Sequence, residues 1–160
     1  MKYLGIFVWL LAIVAANLSA ANFGIWATPI NAFLLVGLEI TLRDYLHTKL
    51  THIQLVFMVV VGGVLSFIIN KDALNIALGS SLAVTISCYV DYYIFSKSKG
   101  TWLSKSNKSN IGSAAVDSVV FPTVAFGVFN ISVVLSQFAV KVFGDFIWGY
   151  LINRFVVSRK

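Results

Sequence analysis

The chain has 160 residues, 59% of them hydrophobic and only 11% charged, and twelve Lys and Arg against six Asp and Glu give a net charge of +6. This composition excludes an ordinary soluble domain and leaves room for several bilayer-crossing helices of about 20 residues each. The only cysteine, Cys88, lies in an apolar run, which excludes a disulfide framework and a cysteine-based metal site.

Six apolar runs separated by polar breaks predict an all-α, polytopic membrane protein. We expect one domain over residues 1–160 with transmembrane helices at 3–20, 26–46, 53–69, 74–95, 111–130 and 131–157. The connection 96–110, "SKSKGTWLSKSNKSN", is polar and basic and is predicted to be a flexible cytoplasmic loop. The last run exceeds the thickness of the hydrocarbon layer, which predicts a tilt, a kink or a cytoplasmic extension.

The first run also has the pattern of a cleaved signal peptide, with a basic start, an apolar stretch and small residues. We expect it to be retained as a signal-anchor, because Ala12, Ala16 and Ala20 are four residues apart. Small residues at that spacing let helices approach closely in lipid.

The basic residues indicate the topology. Placing Lys2 in the cytoplasm puts ten of the twelve basic residues on that side, with Lys71 outside and Lys141 inside a span. This bias predicts cytoplasmic termini and a multi-pass protein of the inner (cytoplasmic) membrane. Because the basic residues follow the topology, we expect no nucleic-acid partner. The ten are Lys2, Arg43, Lys49, Lys97, Lys99, Lys105, Lys108, Arg154, Arg159 and Lys160.

Polar side chains recur at helical spacing inside four predicted spans, where they are costly and usually functional. They are Asn31, Glu39 and Arg43; Ser80, Ser87 and Asp91; Ser113, Asp117 and Phe121; and Gln137, Lys141, Asp145 and Trp148. The rise per residue along each helix gives the depth of each side chain in the membrane. The ionisable groups are all predicted to lie in one layer, between the cytoplasmic third of the membrane and its centre. The sequence therefore predicts a single polar chamber.

Structural roles are the alternative for each of these charges. Arg43 and Asp91 can reach the interface along their apolar stems. Lys141 and Asp145 are one turn apart and predict an ion pair with a structural or coupling role.

Pro122 follows Asp117 by five residues and denies a helical hydrogen bond to the carbonyl of Ser118. We expect a bend and a free carbonyl beside Asp117. Broken helices beside intramembrane carboxylates form substrate sites in transporters. Asp117 is therefore predicted to face a ligand, with Pro122 and Ser118 shaping the backbone around it.

No enzyme signature is present in the sequence. It contains neither a phosphate-binding Gly-Lys-Ser/Thr loop nor an HExxH motif. His47 and His52 are five residues apart, which does not place them on one helical face, and His47 is expected at the surface. We predict no catalytic residue, no metal site and no cofactor.

The stretch "SNIGSAAVDSVVFPTVAFG", residues 109–127, resembles the signature of the VUT family, queuosine-precursor transporters also called vitamin uptake transporters. Three further stretches agree: "GLEITLRDYLH" at 37–47, "SCYVDYYIF" at 87–95 and "SQFAVK" at 136–141. The resemblance covers nearly the whole chain. The sequence departs from the family at Cys88, where many short members have Glu, and in a Lys-rich rather than Arg-rich loop before the fifth span.

This resemblance implies import of a 7-deazaguanine base such as 7-cyano-7-deazaguanine. Such a base presents two adjacent N–H donors, which suit a carboxylate, with Asp117 the first choice and then Asp91 and Glu39. Its acceptors suit Lys141, Arg43, Gln137 or Asn110, and its flat ring suits Phe121 or Trp148. The implied partners are the base, the lipid bilayer, and either further copies of the chain or ATPase subunits.

Two other classes remain open. Six spans with a small-residue first helix also describe the substrate-binding component of an energy-coupling-factor importer, in which Ala12 and Ala16 would dock on separate ATPase subunits. A phage holin-like pore former is suggested by small size and a basic tail, but it predicts no ordered acid and proline chemistry.

Overall fold

A computed structural model describes residues 2–127 and 129–158, with the backbone alone at Trp26. Six helices, joined by short connections, make up this part of the chain, which contains no strand. They are α1 Lys2–Phe23, α2 at residues 24–47, α3 His52–Ile69, α4 Leu74–Lys97, α5 Trp102–Phe126 and α6 Ile131–Ile152. The prediction of an all-α fold with six helices is confirmed.

Four helical segments are long and apolar enough to cross a membrane: Lys2–Phe23, His52–Ile69, Lys71–Lys97 and Ile131–Val157. Large apolar side chains on them point outward, among them Tyr3, Ile53 and Ile68, each more than 65% exposed. Such an apolar exterior suits lipid rather than water. α2 and α5 are outside this set. α2 is divided into short helical segments, and the two helices together carry most of the buried polar side chains.

α2 is irregular. It begins as a 3₁₀ turn at Gly24–Ala27, becomes α-helical over Thr28–Asn31, widens to a π-helix at Ala32–Val36 and returns to α-helix at Gly37–His47. The wide turn lies where α6 comes close, because a Cβ added to Gly144 would lie 2.6 Å from the carbonyl oxygen of Phe33. A glycine on α6 therefore permits contact between the two backbones.

The predicted loop 96–110 is wrong over most of its length. α5 begins at Trp102, and the hydroxyl of Thr101 caps it by accepting from the amide of Ser104 at 3.3 Å. Ser106, Ser109 and Asn110 are buried, because Asp44 of α2 provides a polar partner for this face. The polar composition of residues 102–110 therefore belongs to a helix with a buried polar face. The connection between α4 and α5 is limited to residues 98–101.

This earlier start changes the depth of Asp117. Asp117 is 15 residues after the first residue of α5 and 9 before the last, Phe126, or about 22 Å and 14 Å along the axis. Asp117 is thus nearer the helix end that lies away from the Lys-rich connection. The predicted depth of Asp117 was counted from residue 111, one to two turns away, and is wrong because α5 begins at Trp102.

Pro122 lies inside α5 without ending it. The helix continues to Phe126 and stops at Gly127, whose φ of 64° is left-handed and suits glycine. After Ile152, α6 continues as a π-helical turn, Asn153–Val157, in the region where a kink or an extension was predicted.

Candidate functional site

A cavity lies between α1, α2, α4, α5 and α6, and we call it the central cavity. It has about 40 Å³ of room for water centres, enough for roughly three water molecules. Ala12, Ala16 and Ala20 leave this space along α1, because their side chains are short. The wall also carries Asn17, Thr28, Asn31, Glu39, Ser80, Asp117, Phe121, Gln137 and Lys141.

Lys141 is the centre of the polar wall. Its ammonium donates to Asp117 Oδ2 at 2.5 Å, to Gln137 Oε1 at 3.1 Å and to Ser118 Oγ at 3.3 Å. Gln137 in turn donates to the hydroxyl of Thr28 at 3.3 Å. A buried ammonium is tolerated only when it is paired and its donors are used, and this arrangement satisfies both conditions.

The predicted pair of Lys141 and Asp145 is not formed. The long side chain of Lys141 extends across to α5, where Asp117 and Ser118 provide acceptors, rather than along α6. Asp145 is buried, and neither of its carboxylate oxygens has a hydrogen-bond partner. It borders a separate, smaller cavity beside Asn107 and Asn110.

Glu39 lies on the opposite wall, where Trp9 fixes its orientation. The indole Nε1 of Trp9 donates to Glu39 Oε1 at 2.9 Å, and the Trp9 side chain is fully buried. The position of Trp9 near one end of the first predicted span is typical of an interfacial aromatic belt, but its burial shows that it packs inside the helix bundle instead. Because a buried indole N–H needs an acceptor, Trp9 positions Glu39 at the cavity wall.

We expect Trp9→Phe to reduce stability by about 1–3 kcal/mol, since Glu39 Oε1 loses its indole donor in a buried place. Thermal unfolding in detergent would measure this loss. Tyr3→Phe on the same helix is the matched control, because Tyr3 is 81% exposed. Equal melting temperatures for the Trp9 variant and the parent would show that the hydrogen bond has no part in stability.

A second polar group surrounds Arg43, and we call it the Arg43 cluster. Its members are Glu39, Arg43, Asp44, His47, Ser87, Asp91, Ser106 and Asn110. Arg43 NH1 donates to Ser87 Oγ at 3.2 Å and lies 3.7 Å from Glu39 Oε1, and Arg43 Nε lies 3.8 Å from Asp91 Oδ2. Arg43 is fully buried, so the alternative that it reaches the interface is wrong.

Asp44 and His47 complete this cluster on α2. Asp44 Oδ2 accepts from the hydroxyl of Ser106, and from the amide of Asn110 at 2.9 Å when that amide is turned to face it. The side chain of His47 is 6% exposed, and its Nδ1 lies 3.3 Å from Asp91 Oδ2. His47 is therefore not the surface residue that was expected.

The predicted single chamber is divided into two groups that share Glu39. The central cavity brings together five of the predicted site residues: Glu39, Asp117, Phe121, Gln137 and Lys141. Arg43, Asp91 and Asn110 belong to the Arg43 cluster instead. Trp148 is half-buried on α6 and does not line the central cavity, and Pro122 is buried one turn beyond Ser118.

The residues of these groups that were missed as site residues include Trp9, Thr28, Asp44 and His47. Asp44 and His47 carried a signal, because they are three residues apart beside Arg43 and so share a helical face. Trp9 and Thr28 carried none, because their partners lie on other helices.

Apolar outward surfaces around an internal cavity, with a few buried charged side chains in its wall, suit a multi-pass membrane protein that binds a small ligand. A family model described as "Putative vitamin uptake transporter" matches residues 3–155. The chain belongs to this family. Comparisons with curated proteins and with solved structures give no significant match.

Proposed function

We propose that this chain imports a 7-deazaguanine base, a queuosine precursor such as 7-cyano-7-deazaguanine, through the central cavity. The observation that carries the proposal is the buried pair of Asp117 and Lys141 in the cavity wall. Lys141 contacts Oδ2 of Asp117, and no hydrogen bond from the described residues engages Oδ1. A carboxylate held in place with an unused oxygen suits a ligand that brings its own N–H donors.

The base presents two such donors on one edge, the ring N–H and the exocyclic amine. A carboxylate oxygen has two lone pairs, so Asp117 can accept from both donors while Oδ2 still accepts from Lys141. Lys141 pairs with the carboxylate and fixes its direction. Glu39 is the second carboxylate at the cavity, whereas Asp91 lies outside it, so Glu39 now ranks above Asp91 as a ligand.

The acceptors of the base would meet the amides of Gln137 and Asn31, and Phe121 provides an aromatic face. The central cavity holds only about three waters, so binding requires the helices to separate. The π segment of α2 borders the cavity through Ala32, Leu35 and Val36 and lies next to the α6 contact at Gly144. Movement of α2 against α6 is therefore the opening step that we propose, in the manner of alternating access.

Binding measurements test the base-reading role directly. Purified protein in detergent should bind 7-cyano-7-deazaguanine, and an analogue lacking the exocyclic amine should bind at least about tenfold more weakly. A charge-assisted hydrogen bond is typically worth about 1.5–3 kcal/mol, and about 1.4 kcal/mol is one decade. Equal affinity for the two compounds would contradict recognition of this edge by a carboxylate.

Uptake decides between a transporter and a docking subunit. Labelled base should accumulate in cells that lack both precursor synthesis and their own importer when this chain alone is expressed. Uptake that appears only with added ATPase subunits would instead assign the substrate-binding component. Ala12 and Ala16 line the central cavity, so these two side chains do not form an outward docking face.

The proposed topology has six spans in the cytoplasmic membrane, with both termini in the cytoplasm. Single cysteines at Ser98 or Gly100 should then be labelled only from the cytoplasmic side, and one at Asp72 only from outside. Cys88 is buried, so background labelling should be low. Labelling of both connections from the same side would rule out this topology.

A further inference from the structure

The Arg43 cluster holds more negative charge than its cation neutralises. Glu39, Asp44 and Asp91 contribute three carboxylates, and Arg43 contributes one guanidinium, all of them at least 95% buried. With all three carboxylates ionised and Arg43 charged, the cluster would carry an excess of two negative charges. Unpaired carboxylates in an apolar interior cost several kcal/mol each by common estimates. One divalent cation would neutralise the excess of two.

The hydrogen bonds of the cluster independently indicate that a partner of its carboxylates is missing. Within the described part of the chain, Asp44 Oδ1 and both oxygens of Asp91 accept no hydrogen bond, although both residues are fully buried. Asp91 Oδ2 does lie 3.3 Å from His47 Nδ1 and 3.8 Å from Arg43 Nε, as ion-pair contacts. The imidazole nitrogens of His47 also lack a hydrogen bond. Buried polar atoms without a partner are rare in folded proteins and require an explanation. Here three neighbouring residues share this property.

These unpartnered atoms converge on one point. One ligand atom from each of Asp44, His47 and Asp91 can be chosen so that all three lie within 4.8 Å of one another. Asp44 and His47 lie about one turn apart on α2, and Asp91 comes from α4. Metal–ligand distances near 2.1 Å place tetrahedral ligands about 3.4 Å apart, so small side-chain movements would close the group around one ion.

We propose that Asp44, His47 and Asp91 form a binding site for a divalent transition-metal ion such as Zn²⁺ or Mn²⁺. An imidazole beside two carboxylates favours this class over Mg²⁺ or Ca²⁺, which take oxygen ligands. His47 is partly exposed at the end of α2, which provides a path for the ion. The ion would join α2 to α4 and, through Arg43 and Glu39, would influence the wall of the central cavity.

Asp44 is prepared for this role by its other contacts. Ser106 and Asn110 occupy Oδ2, which orients the carboxylate and leaves Oδ1 for the ion. Hydrogen bonds of this kind commonly fix metal-binding carboxylates in place. Arg43 binds Ser87 and Glu39 through NH1, so the position of its guanidinium does not depend on Asp91 alone.

Metal binding can be measured without any transport assay. Protein purified in detergent and stripped with a chelator should bind one Co²⁺ or Zn²⁺ per chain, with a visible Co²⁺ spectrum and a raised melting temperature. His47→Gln should weaken Co²⁺ binding at least about tenfold, because it removes one of three ligands. His52→Gln is the matched control, since His52 stacks against His47, Tyr89 and Tyr92 and is not one of the three proposed ligands.

His47→Cys protects the test against a variant that does not fold, because it keeps a metal ligand at the position. It should add a thiolate-to-Co²⁺ charge-transfer band that the parent lacks. Less than stoichiometric binding by the parent, or equal affinity in the parent and His47→Gln, would overturn the proposal. So would a stability that depends on pH but not on metal, because protons would then neutralise the cluster.

Discussion

Replacing Lys141 by methionine should abolish uptake and lower the free energy of unfolding by about 3–5 kcal/mol, because it leaves the carboxylate of Asp117 buried without its counter-ion. Asp117→Asn should lower the free energy of unfolding by a similar amount, because it leaves the ammonium of Lys141 buried without its counter-ion. The double variant, Asp117→Asn with Lys141→Met, should recover much of the stability, since neither charge then remains unpaired. It should still fail to bind the base, because the anionic acceptor is gone.

Thermal unfolding in detergent and equilibrium binding together test this cycle. Asp72→Asn is the matched control, because Asp72 is an exposed carboxylate in the turn before α4 and should change neither quantity. If the stability loss of the double variant equals the sum of the losses of the two single variants, Asp117 and Lys141 act independently. Parent-like affinity in the double variant would transfer the base-reading role to Glu39.

The second large effect is expected at Gly144, where α6 touches α2. The Cβ of an alanine there would lie 2.6 Å from the carbonyl oxygen of Phe33, and backbone atoms cannot rotate away as side chains can. We expect Gly144→Ala to cost about 1–3 kcal/mol through overpacking. The larger Gly144→Val should prevent accumulation of folded protein, measured by size-exclusion chromatography and thermal unfolding.

Gly149 provides the comparison on the same helix. A Cβ at Gly149 would lie 3.4 Å from Asn107 Oδ1 and Leu103 Cδ1, which is ordinary van der Waals contact with side chains. Gly149→Ala should therefore change the stability by no more than about 0.5 kcal/mol. If both alanine variants have the same melting temperature as the parent, the close approach of α2 and α6 does not limit stability.

Helix number and class were predictable because apolar length is a strong and local signal. The start of α5 was not, because "SKSNKSN" resembles a loop until Asp44 of another helix provides its polar partner. Helical spacing grouped Gln137 with Lys141 correctly, since both lie on α6. It could not give the partner of Lys141, because the choice between Asp145 and Asp117 depends on how α5 packs against α6.

The predicted single polar chamber was wrong for the same reason, because it too depended on how the helices pack. Depth along each helix was counted from a predicted boundary, so an error of nine residues at the start of α5 moved Asp117 by about 14 Å. Asp91 and Asp117 were then assigned to one layer, although the structure places them in separate groups. Cross-helix contacts such as that of Trp9 with Glu39 have no sequence pattern at all.

The unequal apolarity of the helices bears on how the protein enters its membrane. α2 and α5 are the two helices outside the set of four long apolar helices, and they hold Glu39, Arg43 and Asp117. A charged residue at a helix centre costs about 2.5–3.5 kcal/mol during insertion. These helices therefore depend on their neighbours during synthesis, α5 on α4 above all, where Gly79 lies against Ala125. A bulky side chain at Gly79 should therefore cause degradation of the newly synthesised protein. This loss should be detected before any defect in transport.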